Sequence, residues 1–215
     1  MSTASYTIRP VQASDIPALA DLLYTSKLSL TINRLLFKEW PNEAIQRQNY
    51  FRAVDSIDKS EPESLTVVDK ASGEIIGHLA FNRRLPVQKL EEPKPETGKQ
   101  DLPDFFNPEV VTAVLSAVAE LKQDTKSIDH YELTYIIVKP GYRHRGIGRD
   151  LIKYVFDKAK SAAVPVIVNA EPQTYDFFKK YRFEDTKHVD FELDKWAPPY
   201  SGFGVFRLAG MAWHP

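Results

Sequence analysis

The chain has 215 residues, 43% of them hydrophobic and 27% charged, which is the make-up of an ordinary soluble globular fold with a sizeable core. It contains no cysteine, which excludes a disulfide scaffold, a Cys-ligated zinc or iron–sulfur site and a cysteine nucleophile. Lys and Arg total 28 against 29 Asp and Glu, a formal net charge of −1, so no global basic excess argues for a nucleic-acid partner.

Met1 to Tyr6 show no basic region followed by an apolar run, so no secretory signal is expected. No stretch reaches the roughly 18 apolar residues of a membrane helix. A cytoplasmic protein with no membrane partner and no metal is the expectation.

Residues 7–11 (Thr-Ile-Arg-Pro-Val) read as a short strand. Ser14 stands where a hydroxyl accepts from the orphan amides of a helix start, with Asp15 against the positive helix end. Ile16, Leu19, Leu22 and Leu23 follow at helical spacing. A second helical region spans residues 32–54 and breaks at Trp40-Pro41, because the residue before proline avoids the helical conformation. Residues 64–69 and 74–82 form a β-hairpin through the turn Lys70-Ala71-Ser72-Gly73.

The pattern stops at residues 85–104, where Glu91-Glu92-Pro93-Lys94-Pro95-Glu96 is too polar and proline-rich to bury surface. A mobile inserted loop is expected there. Asn107 then caps a helix with Pro108 at its first position, and Val110, Val114, Val118 and Leu121 give it an apolar stripe. Residues 131–138 (Tyr-Glu-Leu-Thr-Tyr-Ile-Ile-Val) read as a strand. A helix with Leu151, Ile152, Val155, Phe156 and Ala159 on one face comes next, then a buried strand over 164–168 and a short helix over 175–181. Strands over 186–193 and 204–213 finish the chain.

The chemistry concentrates in Val138-Lys139-Pro140-Gly141-Tyr142-Arg143-His144-Arg145-Gly146-Ile147-Gly148-Arg149. A strand runs into a glycine-bearing turn, and a helix starts there. Glycine lets backbone approach a ligand closely, and the first helical amides have no internal partners at the positive end of the helix dipole. The product is an anion site suited to a pyrophosphate, with Arg143, Arg145 and Arg149 adding charge. A P-loop is excluded because no G-x-x-x-x-G-K-[ST] run exists. A dinucleotide fingerprint is excluded because Leu151 occupies the place of its third glycine.

These residues resemble the GNAT acyl-CoA N-acyltransferases. Their signature, Q/R-x-x-G-x-G/A, is matched by Arg143-His144-Arg145-Gly146-Ile147-Gly148 with Val138-Lys139-Pro140 upstream. Ile8-Arg9-Pro10 with Ser14-Asp15-Ile16 is similar to the family's opening. Gly73-Glu74-Ile75-Ile76-Gly77 is similar to its hairpin, and Phe177-Phe178-Lys179-Lys180-Tyr181-Arg182-Phe183 to its second motif, F/L-Y-x-K-x-G-F. The loop and helix over 85–127 resemble an insertion found in fungal-type members.

The resemblance implies an α/β (α+β) fold in one domain over 1–215: a mixed, mostly antiparallel twisted sheet of about seven strands with helices on both faces. It implies acetyl-CoA as co-substrate and direct transfer to a primary amine, of a small molecule first and of a protein or peptide as the alternative. A non-catalytic acyl-CoA-binding module is a further alternative, and homodimers occur in the family. By position, Ile136, Ile137 and Val138 would bond the pantetheine and thioester, and Arg143, His144, Arg145, Gly146, Ile147, Gly148 and Arg149 would hold the pyrophosphate.

Some members place a base eleven positions before the signature's Q/R, which is Glu132 here, with His130 or Asp129 as substitutes. Glu132 shares strand parity with His130 and Thr134, so the three are expected on one cleft. The tyrosine that protonates the leaving thiolate is replaced by Phe178, leaving Tyr175 and Tyr181 as donors. Glu171 stands where asparagine is often found, and Arg182 stands where glycine is usual. Phe37, Trp40, Tyr50, Phe105, Phe106, Trp196 and Tyr200 are expected in or near the acceptor pocket.

Overall fold

The structure is a computed structural model that describes residues 5–59, 63–86 and 102–215. Most of the loop expected over 85–104 therefore lies outside the described residues.

Seven strands form one sheet in the order β1-β2-β3-β4-β5-β7-β6. They are β1 (Tyr6–Pro10), β2 (Glu63–Asp69), β3 (Ile75–Arg84), β4 (His130–Val138), β5 (Val166–Ala170), β6 (Glu184–Glu192) and β7 (Val205–Trp213). Every pairing is antiparallel except β4 with β5. The helices are α1 (Ile16–Lys27), α2 (Asn33–Leu36), α3 (Glu43–Lys59), α4 (Pro108–Gln123), α5 (Ile147–Ala162) and α6 (Pro172–Lys180).

The parallel pair has a topological cause. Joining β4 to β5 in the same direction needs a crossover, and the amphipathic α5 supplies it. Its Ile147, Leu151, Ile152, Val155 and Ala159, all buried, pack on one sheet face with Leu79, Leu133, Val168, Phe178 and Met211. On the opposite face α1 and α3 pack through Leu19, Leu23, Tyr50 and Val54, reaching Tyr135 and Ile137. There too α4 packs through Val110, Ala117 and Leu121 on Phe191, Phe206 and Leu208 of β6 and β7.

The helical region expected over 32–54 divides into α2 and α3 around a cis Trp40-Pro41 bond. Asn107 caps α4 as expected, its Oδ1 accepting the Glu109 N–H at 3.2 Å. Ser14 does not cap α1. It is exposed, and the start is organised instead by Asp15, whose carboxylate accepts from Arg9 (2.6 and 2.8 Å), the Gln12 N–H (2.9 Å) and Thr66 (3.1 Å). That set makes ionisation of Asp15 easier than usual, the Arg9 hydrogen bonds first, although burial opposes it.

Candidate active site

β4 and β5 stay paired only from Tyr131↔Val166 to Leu133↔Val168. β4 then runs five residues further beside β3 alone, and β5 continues beside β7 alone. A bulge accompanies the parting. Phe81 faces Leu133 and Ala80 faces Tyr135, so Thr134 is an extra residue in β4. A bulge bends its strand and steepens its twist, which swings the end of β4 away from β5. Along the unpaired edge, alternate residues turn their N–H and C=O groups into the gap.

The gap opens into a cleft of about 760 Å³, lined by residues 133–138 of β4, the turn into α5, α6 and its start, Ser26 and Lys27 at the end of α1, and Ser29 just beyond it. At one end lies the start of α5. Gly146 is its N-cap at φ +88°, a left-handed conformation that glycine adopts without penalty. Gly148 allows close packing, since a Cβ there would sit 3.1 Å from the Phe177 ring of α6. The first-turn amides of α5 face the cleft end with no intrahelical acceptor.

The turn is braced from its own side chains. Arg143 donates to the Val138 carbonyl (3.1 Å), and Arg145 donates to the Gly141 carbonyl (2.9 Å) while lying over the Tyr142 ring. Behind it, Asp150 accepts from the Tyr6 hydroxyl (2.6 Å) and from Arg149 (3.0 Å). Burial, then the bond to Asp150, pushes the Tyr6 phenol up to about 12. The same bond, with Arg149, holds the Asp150 carboxyl below its ordinary value against the effect of burial.

Ile136, Ile137, Val138, Arg143, His144, Gly146, Ile147, Gly148 and Arg149 all line this cleft, and Arg145 braces it. An unpaired strand edge leading to free amides, two glycines and arginines fits an extended thioester with a pyrophosphate tail.

The proton-handling residues named from sequence are scattered. Tyr181 lines the cleft, whereas the Tyr175 hydroxyl donates to Asp185 (2.9 Å) beside a separate hollow of α6, β6 and β7. Phe178 is 2% exposed and packs on Phe177 and Phe183, so this position is core as well as cleft wall. Glu132 is gripped by Lys122 (2.5 Å) and Arg84 (2.8 Å) and is not among the cleft-lining residues. Burial raises its carboxyl, but the hydrogen bonds from Lys122 and Arg84 outweigh it and hold the group ionised below its ordinary range.

Strand parity does not bring His130, Glu132 and Thr134 to one cleft, because His130 and Glu132 precede the parting, Glu132 lying where β4 is still paired with β5 and bonded to Lys122 of α4. Only Thr134 lines the cleft. His130 is buried with Nδ1 2.7 Å from the Ile128 carbonyl, and Asp129 pairs with Arg83 at 2.8–2.9 Å. None of the seven aromatic residues expected near the acceptor lines the cleft. Phe37, Trp40, Phe105 and Phe106 instead form one ring cluster that ties the approach to α4 onto α2, supported by the Phe37↔Phe106 bridge.

Sequence reasoning did not assign Lys27 or Glu171 a role. Their side chains meet in the cleft as an ion pair. The departure of Glu171 from the family's asparagine was the signal available.

A sheet split at its parallel pair, with a glycine-bearing helix start at the mouth of the split, places an open strand edge beside a cationic, amide-rich turn. Residues 30–183 match the model of the acetyltransferase (GNAT) family. The chain belongs to this family.

An uncharacterised N-acetyltransferase of Bacillus velezensis is 34% identical over 87 residues, covering 40% of this chain and 44% of that protein. The chain thus spans less than half the length of the curated relatives of this kind. These relatives come from Bacillus species, which does not support the fungal-type expectation.

A putative arylalkylamine N-acetyltransferase from the yellow fever mosquito has a similar fold, with a TM-score of 0.66 at 12% identity over 97% of this chain and 87% of that one. YncA of Salmonella typhimurium, a putative acetyltransferase solved with acetyl-CoA, gives a TM-score of 0.54 at 13% identity over 98% and 94% of the two chains. Among the described residues there is no cluster of three or more His, Asp or Glu able to hold a metal, and no helix is long and apolar enough to cross a membrane.

Proposed function

We propose that this protein transfers the acetyl group of acetyl-CoA directly to a primary amine of a small molecule, with residues 1–215 acting as one catalytic domain and 85–127 as its insertion. The observation that carries the reading is the cleft: the free edge of β4 leads into the cationic turn and the amide-rich start of α5.

In this reading the backbone of Ile136, Ile137 and Val138 binds the pantetheine arm. An N–H of that edge aimed at the thioester oxygen stabilises the charge that develops on attack. The amides from His144 to Arg149 hold the pyrophosphate, and Tyr181 donates a proton to the leaving sulfur. Tyr175 and Glu132, the other residues implied by the resemblance, are held by Asp185 and by Lys122 with Arg84.

The test is calorimetric titration with acetyl-CoA, followed by a thiol-release screen against small amines and amine-bearing peptides. Binding with thiol release on small amines is expected. Release only on peptides would move the acceptor to the protein class, binding with no release would favour a non-catalytic module, and no binding would overturn the reading.

A further inference from the structure

The cleft carries a charge pattern of its own. Its lining cations are Lys27, Arg143, Arg149 and Lys180, and its one carboxylate among the described residues is Glu171. Glu171 directly follows β5 and is the N-cap of α6. Its carbonyl accepts from the Thr174 and Tyr175 N–H groups at 2.9 and 3.1 Å. Its carboxylate makes no capping bond, so it is free of the helix it begins and reaches into the cleft.

There Oε1 accepts from the ammonium of Lys27 and Oε2 from Gln173 at 3.3 Å. The two side chains are 17% and 24% exposed, so the pair is partly desolvated yet still open to the cleft. Glu171 also bears on the wall behind it. Its negative charge adds to burial in raising the phenols of Tyr50 and of Tyr135, the second of which lines the cleft.

An acceptor amine arrives as an ammonium ion and must lose a proton before it attacks. Three of the four cleft cations repel it, and the fourth is neutralised by the one group that attracts it. We propose that the Glu171 carboxylate is the acceptor's ammonium subsite and takes its proton, and that the Lys27 ammonium occupies this subsite until the acceptor displaces it. The proposal rests on the acetyltransferase reading above, and it names the acceptor class as a primary alkylammonium.

The step balances. The acceptor R–NH3+ gives one proton to Glu171, and its nitrogen lone pair attacks the thioester carbonyl carbon. A C–N bond forms and the C–S bond breaks, the sulfur keeping the electron pair. The nitrogen's surplus proton is matched by the one the sulfur takes up as it leaves as a thiol. Glu171 returns its proton to solvent.

The experiment compares acetylation of butylamine, cationic near neutral pH, with that of aniline, which is neutral there, together with calorimetry on acetyl-CoA. Glu171→Gln is expected to lower kcat/KM for butylamine about 100-fold, and to lower it far less for aniline, at unchanged acetyl-CoA affinity. Lys27→Met is expected to lower KM for butylamine about fivefold and to change that for aniline far less, because it removes a competitor for Glu171.

The opposite signs are the discriminating result. A merely structural ion pair loses activity in the same direction from either substitution, and that outcome overturns the proposal. So does a wild-type chain that binds acetyl-CoA but acetylates no alkylammonium. A chain that does not bind acetyl-CoA at all overturns the acetyltransferase reading itself.

Discussion

Placing side chains at Gly146 separates the two properties of the α5 start, its backbone conformation and its appetite for an anion. At φ +88° an L-residue carries a left-handed penalty of about 1–2 kcal/mol. A Cβ there would lie 3.1 Å from Nη2 of Arg149, the far end of a flexible side chain that can move aside. Gly146→Ala should therefore cost about 1–2 kcal/mol of stability, a Tm lower by roughly 2–8 °C for a domain of this size.

Gly146→Glu carries the same conformational cost and adds a carboxylate to the anion site. Opposite a pyrophosphate charge about 5 Å away at an effective dielectric constant of about 20, the repulsion is about 3 kcal/mol, or on the order of 100-fold in affinity. Acetyl-CoA titration of both variants, read beside their melting temperatures, isolates this charge effect. If the Glu variant binds acetyl-CoA as tightly as the Ala variant, no pyrophosphate sits at the start of α5 and the assignment of the loop is wrong.

Three further outcomes follow from individual residues. His78 is 1% exposed, its Nδ1 lies 3.1 Å from the Leu65 carbonyl, and burial pushes the imidazole down to about 4. The unfolded chain therefore takes up a proton that the folded one refuses. The contribution of this group is whole above about pH 6.5 and declines towards pH 4, by about 3 kcal/mol in all. Urea midpoints at the two ends of that range should show the loss in the wild type and less of it in His78→Leu.

Arg182 is exposed at φ +64°, the backbone conformation that the family's usual glycine takes at no cost. Arg182→Gly should stabilise the chain by about 0.5–1 kcal/mol, the relief of left-handed strain less the extra entropy of a glycine in the unfolded state. An unchanged or lower Tm would show that the Arg182 side chain contributes more than its backbone costs. Tyr181→Phe should lower kcat about tenfold at unchanged acetyl-CoA affinity, because a thiolate leaves with modest help from an acid. Undiminished kcat would remove Tyr181 as the donor.

Much of this protein was legible along the chain because the signals are local. Alternating and 3.6-residue apolar patterns placed the strands and helices of the sheet to within a few residues, since burial of one face imposes the period. The glycine-bearing turn between β4 and α5 was readable because a left-handed residue and a close helix contact each demand glycine where they occur. Asn107 with Pro108 announced the start of α4 for the same kind of reason.

The site's acid–base chemistry was not legible in this way, because it depends on which way long side chains turn after distant segments meet. Glu132 lies where β4 is still paired with β5, and the gap opens only beyond Leu133, which defeated the parity argument that grouped Glu132 with the cleft. Lys122 at the end of α4 and Arg84, 48 residues before Glu132, then claimed its carboxylate. The helix start at Ser14 was settled by Arg9 and Thr66 converging on its neighbour Asp15. Glu171 reaches the cleft because β5 parts from β4 and delivers it beside Lys27, 144 residues away along the chain. Local period and backbone conformation are properties of the sequence, whereas the pairing of charges is decided by the contacts of the folded chain.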